Sequence, residues 1–302
     1  MSEVLVSYSQ NGEDIRLMRV FEHRASGFYV DVGAGGPVED SVTKLFYDRG
    51  WSGINIEPGP EFVNLEASRP RDVNLRIAVS SDETQREFRV SKSHPGLSTF
   101  YPTESRERLP DGFSFESELV QCRTLQHILD EHGQGCQIDF MKIDVEGTEA
   151  DVLRSLDLIA TRPTVLLVEA VTPLTFVPNH STWESIVTDA GYLLAAFDGI
   201  NRFYVPSDQE ELVERLAYPL CPPIDGYVPY RLLALERVLA ETRASLERER
   251  SRSVALREVY AVRRWLRHRV IGSIRRRLTL RSDETGLHEP EVRPLPEEIS
   301  KP

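Results

Sequence analysis

Residues whose types and spacing suit chemistry begin with the heptapeptide Asp31 to Pro37, DVGAGGP. It closes an apolar run, Phe28 to Val32, and is answered further on by Glu57 at the end of Gly53-Ile54-Asn55-Ile56. Gly33, Gly35 and Gly36 let the backbone turn sharply and approach a ligand closely. An acid at the tip of the following strand is placed to accept hydrogen bonds from a ribose diol. Later apolar runs also end in carboxylates: Asp144, with Glu146 two residues on, after IDFMKI, and Glu169 after TVLLV.

The glycine pattern separates cofactors. A dinucleotide turn reads G-x-G-x-x-G/A and rests a pyrophosphate on the helix N-terminus. From Gly33 this chain reads G-A-G-G-P-V, so Val38 stands where the third small residue belongs, and Glu39 brings negative charge to the phosphate position. A phosphate-free cofactor carrying a ribose and a positive sulfonium, S-adenosylmethionine, fits better than NAD. A purely structural turn between strand and helix is the competing explanation. Asp31, Gly33 and Glu57, with Gln10, Gly35, Ser41 and Asp144, form the expected cofactor-binding set.

The acids at the later strand ends admit three readings. Asp144, with Glu146 and Glu169, supplies hard oxygen ligands suited to Mg2+, and Asp198 is a further candidate beside Asp144 and Glu169. The same carboxylates could orient a substrate through hydrogen bonds, or they could be helix caps and charge pairs. His180, in the loop VPNHSTWE, is with Asp144 and Glu146 a candidate catalytic residue, as base, ligand or acceptor clamp. Helix capping by Asn179 or Ser181 would leave that histidine merely exposed. Asp198 sits in an Asp-Gly turn, which explains it locally. Asn201 and Arg202 are not required by a turn, and both can grip hydroxyls, so they are the candidate substrate-binding pair. Gln10, Asn11, Glu13 and Asp14 are more polar than one turn needs, whether they touch a ligand or cap the helix that follows.

The elements that must position these residues alternate. Asp14 to His23 has a helical stripe. Strands are expected at Phe28 to Val32, Gly53 to Ile56, Val73 to Ser80 and Gln85 to Ser91, with a helix over Val38 to Tyr47. Ser91 to Ser117 is polar and without periodicity, as substrate loops are. Further strands follow at Val120 to Arg123, Gln137 to Asp144 and Pro163 to Ala170, and helices at Thr124 to Leu129, Glu149 to Leu158 and Trp183 to Ala190. Tyr192 to Phe197 and Arg202 to Val205 form a closing hairpin. This order predicts an α/β fold with a mostly parallel sheet covered by helices on both faces. Ligands then bind beyond the carboxyl ends of the strands, where Asp31, Glu57, Asp144 and Glu169 converge.

Several ordered blocks resemble the FkbM-type S-adenosylmethionine-dependent methyltransferases over about residues 7–231. They are SQNGED (Ser9 to Asp14), DVGAGGP, NIEP (Asn55 to Pro58), IDFMKIDVEG (Ile138 to Gly147), RPTVLLVEA (Arg162 to Ala170) and DGINRFYV (Asp198 to Val205). Gly35 departs from the Asn that many members carry. The resemblance implies a class I, Rossmann-like methyltransferase fold and methyl transfer to oxygen, on a sugar or glycan hydroxyl. Sugar hydroxyls are weak nucleophiles at neutral pH, so a base or a cation is expected beside them. An NAD-linked sugar-modifying oxidoreductase and a non-catalytic Rossmann-like scaffold are the rival readings.

The 302 residues accommodate one such domain, expected over 1–230, a basic amphipathic helical extension over 231–281 and a disordered tail over 282–302. The net charge of −12 is uneven: Arg243 to Arg281 holds thirteen arginines against three glutamates, a local +10, leaving −22 elsewhere. An acidic body argues against nucleic acid as its substrate. Leu232, Leu235, Leu239, Thr242 and Leu246 are spaced as in a short coiled coil, and Val259 to Leu278 carries a second stripe flanked by arginines. Peripheral contact with an anionic membrane and homo-oligomerisation are the two expectations for it. Neither a signal segment nor a spanning run is visible, and Cys122, Cys136 and Cys221 lack metal-site spacing. A cytoplasmic location, with peripheral contact at the inner membrane face, is expected.

Overall fold

The computed structural model describes residues 4–91, 98–100, 114–133, 135–172, 175 and 177–285, excepting the side chains of 253–255 and 268–285. The chain divides into two units, Met1–Ala234 and Leu235–Pro302. Strands and helices are numbered here in chain order.

The first unit is built on a seven-stranded sheet. Its spatial order is β10 (Tyr192–Phe197), β11 (Asn201–Pro206), β9 (Val165–Glu169), β8 (Phe140–Ile143), β2 (Phe28–Val32), β3 (Ser52–Ile56) and β4 (Val73–Leu75). From β9 to β4 neighbours run parallel, whereas β11 is antiparallel to both β9 and β10. A second sheet joins β5 (Ala78–Val79), β7 (Phe115–Arg123) and β6 (Gln85–Ser91), and a third pairs β1 (Leu5–Ser7) with β12 (Tyr227–Pro229). The expectation of a mostly parallel sheet is therefore corrected. The architecture is mixed α/β, because the closing hairpin folds back beside β9 and β6 pairs antiparallel with β7.

Period-two alternation assigns each strand residue to one of two cores. Val30, Val32, Met141, Ile143, Leu166 and Val168 pack on one face against α4 (Leu125–His132), α5 (Glu149–Arg154) and α7 (Glu184–Asp189). Tyr29, Phe140, Val165, Leu167, Phe203 and Val205 pack on the other against α1 (Glu13–Phe21), α2 (Lys44–Asp48) and α8 (Glu211–Ala217). Burying each such side chain is worth about 1.5–3 kcal/mol, enough to hold the strand ends in register. On the α1 face the same alternation reaches Asp31, Lys142 and Glu169, so the core hands over to charge at the carboxyl ends.

Several elements differ from their sequence signals for visible reasons. The helix expected over Val38 to Tyr47 shrinks to α2, since Asp40 takes φ 60° and the buried Arg69 draws Pro37 O and Ser41 Oγ into side-chain hydrogen bonds. Val73 to Ser80 breaks into β4 and β5, which join different sheets. Glu149 to Leu158 also divides. Asp157 accepts from Ile159 N and Ala160 N and so starts a new helix, α6 (Leu158–Thr161). Strand β7 begins earlier than expected, because its pairing with β6 extends to Phe115. Of the polar stretch Ser91 to Ser117, residues 92–97 and 101–113 lie outside the described residues.

Helix α10, Tyr230–Thr285, is continuous. Leu235, Leu239, Leu246, Val259, Val262, Trp265 and Leu266 on it are exposed. The later members of the expected stripe, from residue 268 on, lie outside the described side chains. Residues 282–285 are helical rather than disordered, and the rest of the expected tail lies outside the described residues. Among the described residues no helix is long and apolar enough to cross a membrane.

Candidate functional site

Strand order reverses between β2 and β8, and a cavity of about 720 Å³ opens there, at the carboxyl ends of β2, β3 and β8. Its floor is the glycine turn. Gly33 takes φ 79° and lies so close to the end of β8 that a β-carbon would stand 1.8 Å from Asp144 O. Gly35 takes φ 60° with open space beside it, and donates its N–H to Glu57 Oε2 at 2.8 Å.

Glu57 sits at the end of β3, as expected, and lines the cavity. Its other oxygen accepts from Gly59 N at 2.6 Å. Burial raises its pKa, against the pull of those two backbone donors. Each carboxylate oxygen keeps a further lone pair for a ligand hydroxyl. Ala78, Val79, Phe88 and Phe100 form an apolar side of the same cavity, with the two phenylalanine rings edge to face at 5.0 Å.

Asp31 and Ser41, both expected to touch a cofactor, lie behind the cavity lining. Asp31 Oδ2 accepts from Thr43 Oγ1 at 3.1 Å, while its Oδ1 faces Lys142 Nζ at 3.3 Å without hydrogen-bond alignment. Ser41 Oγ accepts from the fully buried Arg69 at 3.1 Å. Both residues hold the loop that forms the cavity wall.

Lys142 carries no signal beyond being a cation inside an apolar strand, FMKI. Its Nζ donates to Gly33 O at 2.8 Å and lies 3.4 Å from Asp144 Oδ2. Burial works against its charge, but Asp31 and Asp144 outweigh burial and lift its pKa above the usual lysine range. The ammonium thus stays charged and ties the glycine turn to the end of β8.

Beyond Lys142, Asp144, Glu146 and Glu169 each present a carboxylate oxygen, all within 4.8 Å of one another. Glu146 adopts φ 56°, a strained conformation for a non-glycine residue, and the next residue is Gly147. Glu169 is 6% exposed, and its Oε2 has no hydrogen-bond partner among the described residues. Burial, then the charges of Asp144, Glu146 and Glu149, push its pKa up to about 12. Burial, then Asp144 and Glu149, likewise raise Glu146 well above the usual carboxylate range. Glu146 and Glu169 are thus both pushed toward their neutral forms. Either protons or a hard cation must offset the charge of Glu146 and Glu169.

The remaining candidates divide. Gln10 and Asn201 line the cavity, and Asn201 Nδ2 donates to Glu13 Oε1 at 2.9 Å. Asp198 stands outside the carboxylate cluster and closes the hairpin turn, accepting from Ile200 N at 2.9 Å and Asn201 N at 2.7 Å. His180 opens a short 3-10 turn, 3.9 Å from Glu184 Oε2. Arg202 donates to Glu184 Oε1, and neither His180 nor Arg202 lines the cavity. Of the lining residues, Lys142, Phe88 and Phe100 were not singled out from the sequence as site residues, whereas for Glu13 the sequence left ligand contact and helix capping both open.

The sequence model of one family, described as the Methyltransferase FkbM domain, matches residues 31–194. Among curated proteins and solved structures, none matches. The matched residues carry the glycine turn, Glu57, Lys142 and the three-carboxylate cluster, and they make up more than half of the chain. The chain therefore belongs to the FkbM methyltransferase family.

Proposed function

We propose that this methyltransferase moves the methyl group of S-adenosylmethionine to a hydroxyl of a sugar or glycan. The observation that carries the choice of methyl donor is the charge of the cavity. Among the described residues seven acidic side chains and one lysine line it, and that lysine is already committed to Asp31 and Asp144. Such a lining favours a cationic ligand and opposes a pyrophosphate, which counts against an NAD-linked reading. Glu57 and the slot of Val79, Phe88 and Phe100 suit a ribose diol and an adenine ring.

When bound, adenosylmethionine supplies an electrophilic methyl carbon. The chain's part is to hold the acceptor oxygen in line with it and to manage the hydroxyl proton. Asp144 and Glu146 face the cavity and are the groups available to orient that hydroxyl. Together with Glu169 they fit a divalent cation of the Mg2+ kind, on the strength of three hard oxygen donors and the orphaned Glu169 Oε2. Such an ion would lower the pKa of a bound hydroxyl. Uncharged, hydroxyl-rich acceptors also suit an acidic rim better than phosphorylated ones.

Thermal melting separates the donors: adenosylhomocysteine raises the melting temperature and NAD does not. Labelled adenosylmethionine offered with a panel of glycans tests the acceptor class. Incorporation that vanishes with chelator and returns with Mg2+ supports the cation. Incorporation indifferent to chelator assigns the cluster to hydrogen bonding alone.

A further inference from the structure

We propose that Glu13 is the residue that takes the proton from the acceptor hydroxyl, with Asn201 holding its carboxylate in place. The proposal rests on the reading above, that the cavity transfers a methyl group to a hydroxyl. Both residues lie outside the stretch matched by the family's sequence model, 31–194, and within the SQNGED and DGINRFYV blocks.

Glu13 and Asp14 adjoin in sequence but have different surroundings. Asp14 is saturated: Ser7 Oγ, Ser9 Oγ, Tyr8 N and Ile15 N all donate to it at 2.7–2.8 Å. It fastens the chain entering α1. Glu13 is also buried, 2% exposed, yet it lines the cavity. Its Oε2 accepts from Asn11 N at 2.8 Å and its Oε1 from Asn201 Nδ2 at 2.9 Å. Ser9 and its own backbone N–H also donate to it, and what sets it apart from Asp14 is that it borders the cavity.

Register shows which end of the cavity Glu13 serves. Asn201 is directly opposite Glu169 in the β11–β9 pair, so their side chains share the α1 face of the sheet. Glu13 reaches Asn201 from α1 on that same face. Its carboxylate is thus at the Asp144–Glu146–Glu169 end, where an acceptor belongs, whereas Glu57 holds the ribose end. Asp144 is tied to Lys142, and His180 lies off the cavity lining, 3.9 Å from Glu184 Oε2.

Its acidity suits the task. Burial, then the charge of Asp198, raise Glu13 to about 7, against hydrogen bonds from its own backbone, Asn11 and Ser9. Asp14 adjoins it, Arg16 lies one turn along α1 with its guanidinium on Leu216 O and Tyr218 O, and Glu169 stands beyond Asn201. A base with a pKa near the working pH is the most effective. In the step, the acceptor O–H bond breaks and its proton passes to Glu13. The O–CH3 bond forms as the S–CH3 bond breaks, and that electron pair returns to sulfur. The exposed Gln10 marks the side from which water can later remove the proton.

The test uses the full chain, labelled adenosylmethionine and a mixture of methyl glycosides of neutral hexoses, 6-deoxyhexoses and amino sugars. In Glu13→Gln the Asn201 amide can flip to satisfy the new amide, so the fold is retained. Adenosylhomocysteine affinity should stay within about twofold. Labelling at pH 7 should fall about a hundredfold or more, with loss of the acid limb of the rate profile. Asn201→Ala removes a hydrogen bond to the ionised form and should move that limb up by about one pH unit. This second variant decides the matter should the first fail to fold. Labelling by Glu13→Gln within tenfold of the unmodified chain, or an unmoved limb in Asn201→Ala, overturns the role of Glu13 alone. An unmodified chain that binds adenosylhomocysteine but labels none of the glycosides overturns the acceptor reading, and Glu13's role with it.

Discussion

A β-carbon on Gly33 would stand 1.8 Å from the backbone oxygen of Asp144, so the turn after β2 and the end of β8 touch with no room for a side chain. That contact brings the Glu57 end and the Asp144–Glu146 end of one cavity together. Gly33→Ala meets backbone at a positive φ and should destabilise the fold by about 3 kcal/mol. Gly35→Ala meets open space, and its cost to the fold is about 1–2 kcal/mol from φ alone. Urea unfolding of the two variants checks the order, and equal losses would remove the contact as the cause.

Glu57→Ala should weaken adenosylmethionine binding by about 1–3 kcal/mol, the scale of lost charge-assisted hydrogen bonds. It also releases Gly35 N and Gly59 N, so melting of the ligand-free variant should be compared first. An unchanged dissociation constant in a folded variant, by calorimetry, takes Glu57 out of the cofactor site.

Glu146 combines a left-handed backbone with a place in the carboxylate cluster. Glu146→Gly should relieve about 1 kcal/mol of strain and some charge repulsion, so the ligand-free protein melts higher. Methyl transfer should be lost in the same variant. A lower melting temperature would mean that the side chain stabilises the fold rather than serving the site.

Glu13 also predicts a slope in stability. The unfolded chain releases this proton near the ordinary 4.5 and the folded chain near 7. Stability from this group is full below 4.5 and lost as pH rises through 7, by about 3 kcal/mol in all. Relative to Glu13→Gln, the unmodified chain should therefore weaken between pH 4.5 and 7.5 in urea unfolding. A constant difference would mean that Glu13 titrates like an exposed glutamate.

Every described residue lining the cavity precedes Arg202, whereas the arginine-rich stretch begins at Arg243. Removing residues 243–302 should leave adenosylhomocysteine affinity intact and change either the oligomeric state or co-sedimentation with anionic liposomes. Both properties unchanged would leave the exposed apolar residues of α10 without a partner role.

Much of the frame was legible because its causes are local. Apolar runs of period two with glycine turns between them place Asp31, Glu57, Asp144 and Glu169 at strand ends from sequence alone. The closing hairpin was readable from Asp198-Gly199. Elements failed where a distant group intervened. The helix over Val38 to Tyr47 gave way to hydrogen bonds from Arg69, and Val73 to Ser80 was divided between two sheets by pairing partners far along the chain.

The sequence by itself determined the α/β order, the glycine turn and the family, since short-range spacing and residue type encode all three. Which acids face the cavity was decided only by the tertiary structure. Asp31 is turned onto Thr43 and Lys142, His180 and Arg202 are drawn to Glu184, and Glu13 meets Asn201 across 188 residues of sequence. The physical reason is that a buried charge goes where its partner is. Strand register and helix packing, which no local pattern specifies, set the position of that partner.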